Sequence, residues 1–168
     1  MKDSYDFLVI GSGIAGLTFA LKVAKYGTVA VITKKEVMDN NTSLAQGGIA
    51  SVFDELDSFD LHIRDTLVSG DGLCNPTVVE TVVKDGPDRI KELIQLGVKF
   101  NIKKNRRPHD THEQLDLGRE GGHSKNRIVH AQDMTGQEIE RVLVSHLQHH
   151  DNIALFENHI AIDLITLS

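Results

Sequence analysis

Apolar residues set the rhythm of this chain from its first turn. Tyr5 to Ile10 form a short apolar run that stops at Gly11-Ser12-Gly13, the profile of a buried strand entering a tight turn. Ile14, Leu17, Leu21 and Ala24 then recur at three- and four-residue spacing along one helical face, until Gly27 ends the pattern. Thr28 to Thr33, TVAVIT, predicts a second buried strand. Strand, helix and strand within about 30 residues make a βαβ unit, whose second strand should run parallel to the first through a right-handed crossover.

The pattern loosens afterwards. Residues 34–53 are rich in Asn, Thr, Ser and Gly without a sustained period, which reads as a long ordered loop, the kind that usually carries function. Beyond Asp57 two helical stretches follow. The second presents Val79, Val82, Val83 and then Ile90, Leu93, Ile94, and Gly86-Pro87 between the triplets should bend or break it. Residues 99–126 are polar and predict no regular structure. Thr135 with Glu138 has the form of a capping box, and Ile139, Val142 and Leu143 continue a helix to about His149. Two strands close the chain, Ile153 to Phe156 and Ile160 to Leu167.

Gly11, Gly13 and Gly16 form G-x-G-x-x-G in the setting that gives this motif meaning, directly after a strand and opening a helix. The first glycine permits the turn, the second lets the backbone approach a pyrophosphate, and the third lets helix and strand pack closely. Phosphates would then rest on unpaired N–H groups of the segment Gly11-Ser12-Gly13-Ile14-Ala15-Gly16, at the positive end of the helix dipole. The acidic residue that usually holds a ribose hydroxyl about 20 residues on is replaced by Thr33-Lys34. A hydroxyl can still bond ribose and Lys34 can face a phosphate, so the missing carboxylate favours a flavin nucleotide over NAD.

Composition narrows the classes without choosing among them. Lys+Arg 18 against Asp+Glu 24 leaves a formal charge of −6, unsuited to nucleic acid or an anionic membrane. No apolar run approaches the roughly 18 residues needed to span a bilayer, and the start of the chain lacks the form of a signal peptide, so a cytoplasmic placement is expected. The single cysteine, Cys74, lies in LCNP with no partner motif and reads as a reduced packing residue. His109, His112 and Glu113 do not reproduce the HExxH helix, so no metal site is expected there. His146, His149 and His150 fall at a helix end, where imidazole complements the dipole, and His123 and His130 read as hydrogen-bonding residues near a candidate substrate region.

Longer motifs carry a resemblance. VIGSGIAGL, ITKK, NTSLAQGGIA, GREGGHS and the Gln132–Gly136 segment QDMTG, taken together, resemble the succinate dehydrogenase and fumarate reductase flavoprotein superfamily over essentially the whole chain. That resemblance implies an α/β, Rossmann-like FAD-binding domain with a βαβ N-terminus. Residues 1–168 would be its N-terminal part, truncated, with the capping and C-terminal helical domains absent and no turnover expected from the piece alone. It further implies FAD contacts from Lys34 and from Asn41, Thr42, Ser43, Leu44, Ala45, Gln46, Gly47 and Gly48, the glycines allowing close backbone approach to the ring.

Two positions distinguish branches of the superfamily. Members that attach FAD covalently carry histidine where this chain has Asn41, which implies noncovalent FAD. Members acting on succinate or fumarate carry an aromatic residue where this chain has Glu120. A carboxylate there suits a substrate bearing an ammonium group and disfavours dicarboxylates without one. The implied reaction is oxidation of L-aspartate to iminoaspartate, with electrons passing to oxygen or fumarate, and delivery of the product to quinolinate synthase in de novo NAD synthesis. Two alternatives stand beside it: a dicarboxylate dehydrogenase or fumarate reductase in which Glu120 is incidental, and a flavin-binding module without chemistry.

Overall fold

A computed structural model describes residues 4–103 and 114–166. In chain order its elements are β1 (Phe7–Ile10), α1 (Ile14–Val23), β2 (Val29–Ile32), β3 (Ile49–Ala50), α2 (Phe59–Ser69), α3 (Pro76–Gln95), β4 (Leu117–Gly118), β5 (Ile128–Val129), α4 (Thr135–Gln148) and β6 (Ile153–Phe156). They divide between two compact units, residues 4–45 with 136–166, and residues 46–103 with 114–135.

The first unit holds a parallel sheet in the order β1-β2-β6, with Val9 opposite Val31 and Val31 opposite Leu155. The expected βαβ start is therefore present. Its centre is β2, where Val29 and Val31 are fully buried, as the apolar run TVAVIT predicts. The helices contribute Leu17 and Ala20 from α1, with the capping residue Ala24, and Ile139, Val142, Leu143 and Leu147 from α4 to the buried set. Leu21 is only half-buried, and the smaller Ala20 takes the inward position. Asp6 fastens the turn after α1, its carboxylate accepting from the Thr28 N–H and hydroxyl at 2.7 and 2.8 Å.

Two expectations fail in this unit. β1 forms, but only Val9 is buried while Leu8 and Ile10 are exposed. Among the described residues one face of that strand is packed and the other is uncovered. Residues 160–166 form no strand, and Ile160, Ile162, Leu164 and Ile165 are exposed. A strand exists only as a member of a sheet, and this segment pairs with neither edge strand, β1 or β6. Leu167 lies outside the described residues.

The second unit contains a small antiparallel sheet in the order β3-β5-β4, with Ile49 opposite Val129 and Leu117 opposite Val129, and a helix pair in which α2 packs on α3. The strand β4 and the bridge between Ile102 and Leu115 appear within the polar stretch for which no regular structure was expected. Two-residue pairings show no alternation long enough to read. Helix α2 opens on Ser58, whose hydroxyl accepts from the Leu61 N–H, and α3 opens on Asn75 with Pro76 in its first turn. Helix α3 continues through Gly86-Pro87 instead of breaking. A Cβ on Gly86 would stand 3.1 Å from Ser51 Oγ, so the glycine lets the helix lie close to the end of β3. Val83, Ile90 and Leu93 from α3, with Val98 and Phe100, bury its apolar face.

The capping box at α4 takes another form. The Thr135 hydroxyl accepts from the Ala131 N–H at 3.0 Å, while Glu138 pairs with Arg141. Cys74 is a free, half-buried thiol 3.7 Å from the Thr66 carbonyl oxygen, consistent with packing. Among the described residues, no helix is long and apolar enough to cross a membrane.

Candidate functional site

The carboxyl ends of β1 and β2 open into a cleft of about 580 Å³, the place where open parallel sheets receive ligands. Its walls are Ile10 to Gly13, Ile32 to Lys35, Asp39 to Asn41, Leu44 and residues 159–161. Gly11 sits at φ 103°, a conformation that strains any other residue. A Cβ on Gly16 would stand 2.1 Å from the Gly11 carbonyl oxygen, so the helix rests directly on the turn. Helix α1 begins after Gly13 with no side-chain cap of its own. Instead the Thr42 hydroxyl, from the following loop, accepts from the Ile14 N–H at 3.1 Å. The N–H groups of Ala15 and Gly16 have no acceptor within the helix. This turn, its bare helix end and the cleft in front of them suit a pyrophosphate-containing nucleotide such as FAD.

Several residues expected to meet the ligand turn their polar groups into the protein. The Ser12 hydroxyl is buried, donates to the Val37 carbonyl at 2.8 Å and lies 3.1 Å from the Thr33 hydroxyl. Thr33 is buried too, so its hydroxyl serves this internal contact and not a ribose. The Ser43 hydroxyl lies 2.6 Å from the Met38 carbonyl oxygen. The Ala45 carbonyl accepts from the Gly136 N–H at 3.0 Å, and a Cβ on Gly136 would collide with the Thr42 carbonyl at 1.8 Å. The glycine of QDMTG is thus the seat on which the loop rests. Lys34, Asn41 and Leu44 are exposed along the cleft and remain candidate contacts. Asn40, which the sequence reading passed over as loop, makes more hydrogen bonds than any of them. Only the polarity of Asn40-Asn41 hinted at it.

Gln46, Gly47, Gly48 and Glu120 belong to the second unit. Gly48 is required by packing, since a Cβ there would stand 2.3 Å from Ile128 Cγ2 and 2.5 Å from the Val129 carbonyl oxygen. That contact gives the residue a packing reason of its own. At Gly47 the neighbour is Glu120, whose Oε1 lies 3.5 Å from the Cβ position. Glu120 begins a turn closed by the His123 N–H donating to the Glu120 carbonyl at 3.3 Å, with Gly122 at φ 81° in the third position. A turn of that form needs glycine there.

The turn is held from below by a buried ion cluster that sequence reasoning missed. Arg127 is fully buried and bonds Asp57 through Nε and Nη2, both at 2.8 Å, and Asp65 through Nη1 at 2.7 Å. Asp65 also accepts from the Ser124 N–H at 2.8 Å and the Ser124 hydroxyl at 2.7 Å, which fixes the residue after His123. Burial alone would raise the Asp65 pKa, but the Ser124 and Arg127 hydrogen bonds outweigh it and bring the group down to about 2. For Arg127 burial works against the charge, and its bonds to Asp57 and Asp65 prevail and raise its pKa. Arg127 Nη1 also lies 3.3 Å from His123 Nδ1. A guanidinium can only donate, so His123 Nδ1 accepts and a neutral His123 carries its proton on Nε2. His62, buried and edge-to-face with His123 at 5.6 Å, has its pKa lowered by burial and then by Arg127. The widely spaced acids Asp57 and Asp65 show no motif, which is why the cluster was not legible.

The remaining histidines behave as hydrogen-bonding residues. His130 Nδ1 lies 3.1 Å from Asn101 Nδ2, and His149 Nδ1 lies 2.7 Å from the Ser145 carbonyl at the end of α4. His109, His112 and Glu113 fall outside the described residues. Among the described residues no three metal-ligating side chains come together.

Comparison with known proteins adds to this geometry. A family profile described as the FAD binding domain matches residues 6–168. A chloroplastic L-aspartate oxidase of Arabidopsis thaliana is 53% identical over 162 residues, covering 96% of this chain and 24% of that protein. An L-aspartate oxidase of Vibrio cholerae is 45% identical over 161 residues, covering 96% of this chain and 30% of that protein. Among solved structures, a quinol fumarate reductase of E. coli superposes with a TM-score of 0.81 at 30% identity, covering 92% of this chain and 26% of the other. The chain thus spans about a quarter of the length of the curated relatives it matches.

Proposed function

Because the chain belongs to the FAD-binding domain family of flavoproteins, we propose that it forms the cofactor-binding part of an L-aspartate oxidase, with residues 1–168 the N-terminal portion of that domain. The observation that carries the reading is the Glu120 carboxylate, presented by a glycine turn beside Gly47. The identity to L-aspartate oxidases from a plant and a bacterium supports it.

The chain's own residues divide the work. Gly11 and Gly13 keep side chains away from the pyrophosphate path, Gly16 seats the helix on the turn, and the start of α1 presents N–H groups and a positive dipole end to the ligand. The Lys34 ammonium, exposed on the cleft, offers a counter-charge for a phosphate. Asn41, Thr42, Ser43, Leu44, Ala45, Gln46, Gly47 and Gly48 form the loop that holds the flavin, and several of them do so through backbone groups since their side chains face the protein. With asparagine at position 41 the FAD is held noncovalently. FAD, when bound, supplies the acceptor for a hydride from the substrate α-carbon. Glu120 pairs with the substrate ammonium, which orients that carbon and rejects succinate, the same skeleton without the amine. The product is iminoaspartate, electrons leave to oxygen or fumarate, and quinolinate synthase receives the product. The cytoplasmic placement read from the sequence belongs to the same proposal, although the plant relatives are chloroplastic by name.

The fumarate reductase neighbour gives the competing reading, a dicarboxylate enzyme in which Glu120 is incidental. Aspartate-dependent hydrogen peroxide formation by the full-length protein, absent with succinate, tests the choice. Release of free FAD on acid precipitation tests the noncovalent link.

A further inference from the structure

One side chain, Asn40, ties the loop after β2 to the glycine turn, and it is itself seated on a buried acid. Its Oδ1 accepts from the Thr42 N–H at 2.8 Å and the Ser43 N–H at 3.3 Å. Two backbone donors fix that end as oxygen, so the nitrogen end faces the other way. There Nδ2 donates towards the Val37 carbonyl at 2.9 Å, the Ser12 carbonyl at 3.3 Å and Oε1 of Glu140. Glu140, on α4, is fully buried, and its Oε2 has no partner among the described residues. A carboxylate so placed would be an uncompensated buried charge, which proteins avoid by keeping the proton. Burial correspondingly raises the Glu140 pKa, against the opposing effect of the Asn40 bond.

The pieces joined at Asn40 are the working parts of the nucleotide cradle. Ser12 belongs to the glycine turn, and Thr42 takes the Ile14 N–H at the start of α1. Asn40 lines the cleft, yet both ends of its amide are occupied by protein, so it acts through the backbone it holds.

We propose that Asn40 and Glu140 are positioning residues for FAD: Glu140, as a neutral acceptor, orients Asn40, and Asn40 keeps the Asn41–Ser43 loop docked on the glycine turn before the cofactor arrives. This rests on the FAD-binding assignment and is independent of the substrate. A cradle held in its competent form binds in proportion to that fraction, so losing the tether weakens apparent affinity without removing a ligand contact.

The test is FAD titration of the protein and four variants, with urea unfolding run in parallel so that affinities are compared only where each variant is folded. Glu140→Gln keeps the acceptor and the shape, and binds FAD within about threefold of wild type, whereas Glu140→Leu, of similar volume without an acceptor, weakens it about tenfold or more. Asn40→Asp places an oxygen against the Val37 and Ser12 carbonyls and weakens binding similarly. Asn40→Leu, of similar volume without either end of the amide, weakens binding about tenfold or more. Wild-type affinity in Glu140→Leu or in Asn40→Leu would overturn the proposal, whereas failure of the wild-type chain to bind FAD would overturn the FAD-binding assignment on which it rests.

Discussion

Oε1 of Glu120 lies 3.5 Å from the point where a Cβ at Gly47 would be attached. The carboxylate therefore lies within van der Waals reach of position 47. Replacing Glu120 by glutamine keeps its shape and removes its charge. Hydrogen bonds to charged groups are worth about 1.5–3 kcal/mol, so KM for L-aspartate in the full-length protein should rise roughly ten- to hundredfold, with inhibition by succinate strengthened. Steady-state kinetics with succinate as competitor checks this, and an unchanged KM would separate Glu120 from substrate recognition.

Gly16→Ala should damage the first unit. Its Cβ would stand 2.1 Å from a backbone oxygen, which cannot swing aside as a flexible side chain would. Overpacking of this kind costs about 1–3 kcal/mol, and here it also lifts α1 off the turn that presents the nucleotide N–H groups. Thermal unfolding together with FAD titration measures both effects, and a variant with wild-type values in each would show the close approach to be unimportant.

Arg127→Ala should destabilise the second unit by about 3–5 kcal/mol, because it leaves the buried Asp57 carboxylate without a counter-charge. Arg127→Met with Asp57→Leu, which removes the fully buried pair and leaves only the partly exposed Asp65 with its Ser124 hydrogen bonds, should recover part of that loss. Urea unfolding of the single and double variants gives the comparison. A single variant as stable as wild type would mean the cluster carries no net structural role.

Three groups give the stability a pH profile whose sign is set by their shifts. Asp65 is depressed to about 2 from 3.8, so its contribution is complete above its unfolded value and lost as pH falls through 4 towards 2. His62 is lowered, so it resists protonation in the folded state and stability declines as pH falls below 6.5. Glu140 is raised, so the folded state keeps a proton that the unfolded chain releases above 4.5, and stability declines as pH rises from there through the folded value. Glu140→Gln should remove that decline and be more stable than wild type at neutral pH. Melting temperatures from pH 3 to 8 for wild type, Glu140→Gln and Asp65→Asn separate the three slopes.

The sequence disclosed the elements that depend on long local patterns. TVAVIT reads as a buried parallel strand because its core positions are continuous, and the glycine spacing reads as a nucleotide turn because strand and helix frame it. Pairings between distant residues left no such trace. Asn40 and Glu140 stand 100 residues apart, and Arg127 meets Asp57 and Asp65 across 70 and 62 residues. Gly48 and Gly136 were legible as motif members, but the reason for them, close packing on β5 and on the Thr42 carbonyl, appears only in three dimensions. The apolar stretch after Ile160 misled for a related cause, since apolar residues mark a strand only where a sheet edge receives them.

The most direct test is anaerobic mixing of the full-length, FAD-loaded protein with L-aspartate and, separately, with succinate, following the visible absorbance of the oxidised flavin. Bleaching by L-aspartate and none by succinate is the predicted result. Bleaching by succinate with none by L-aspartate would contradict the account and assign the protein to dicarboxylate chemistry.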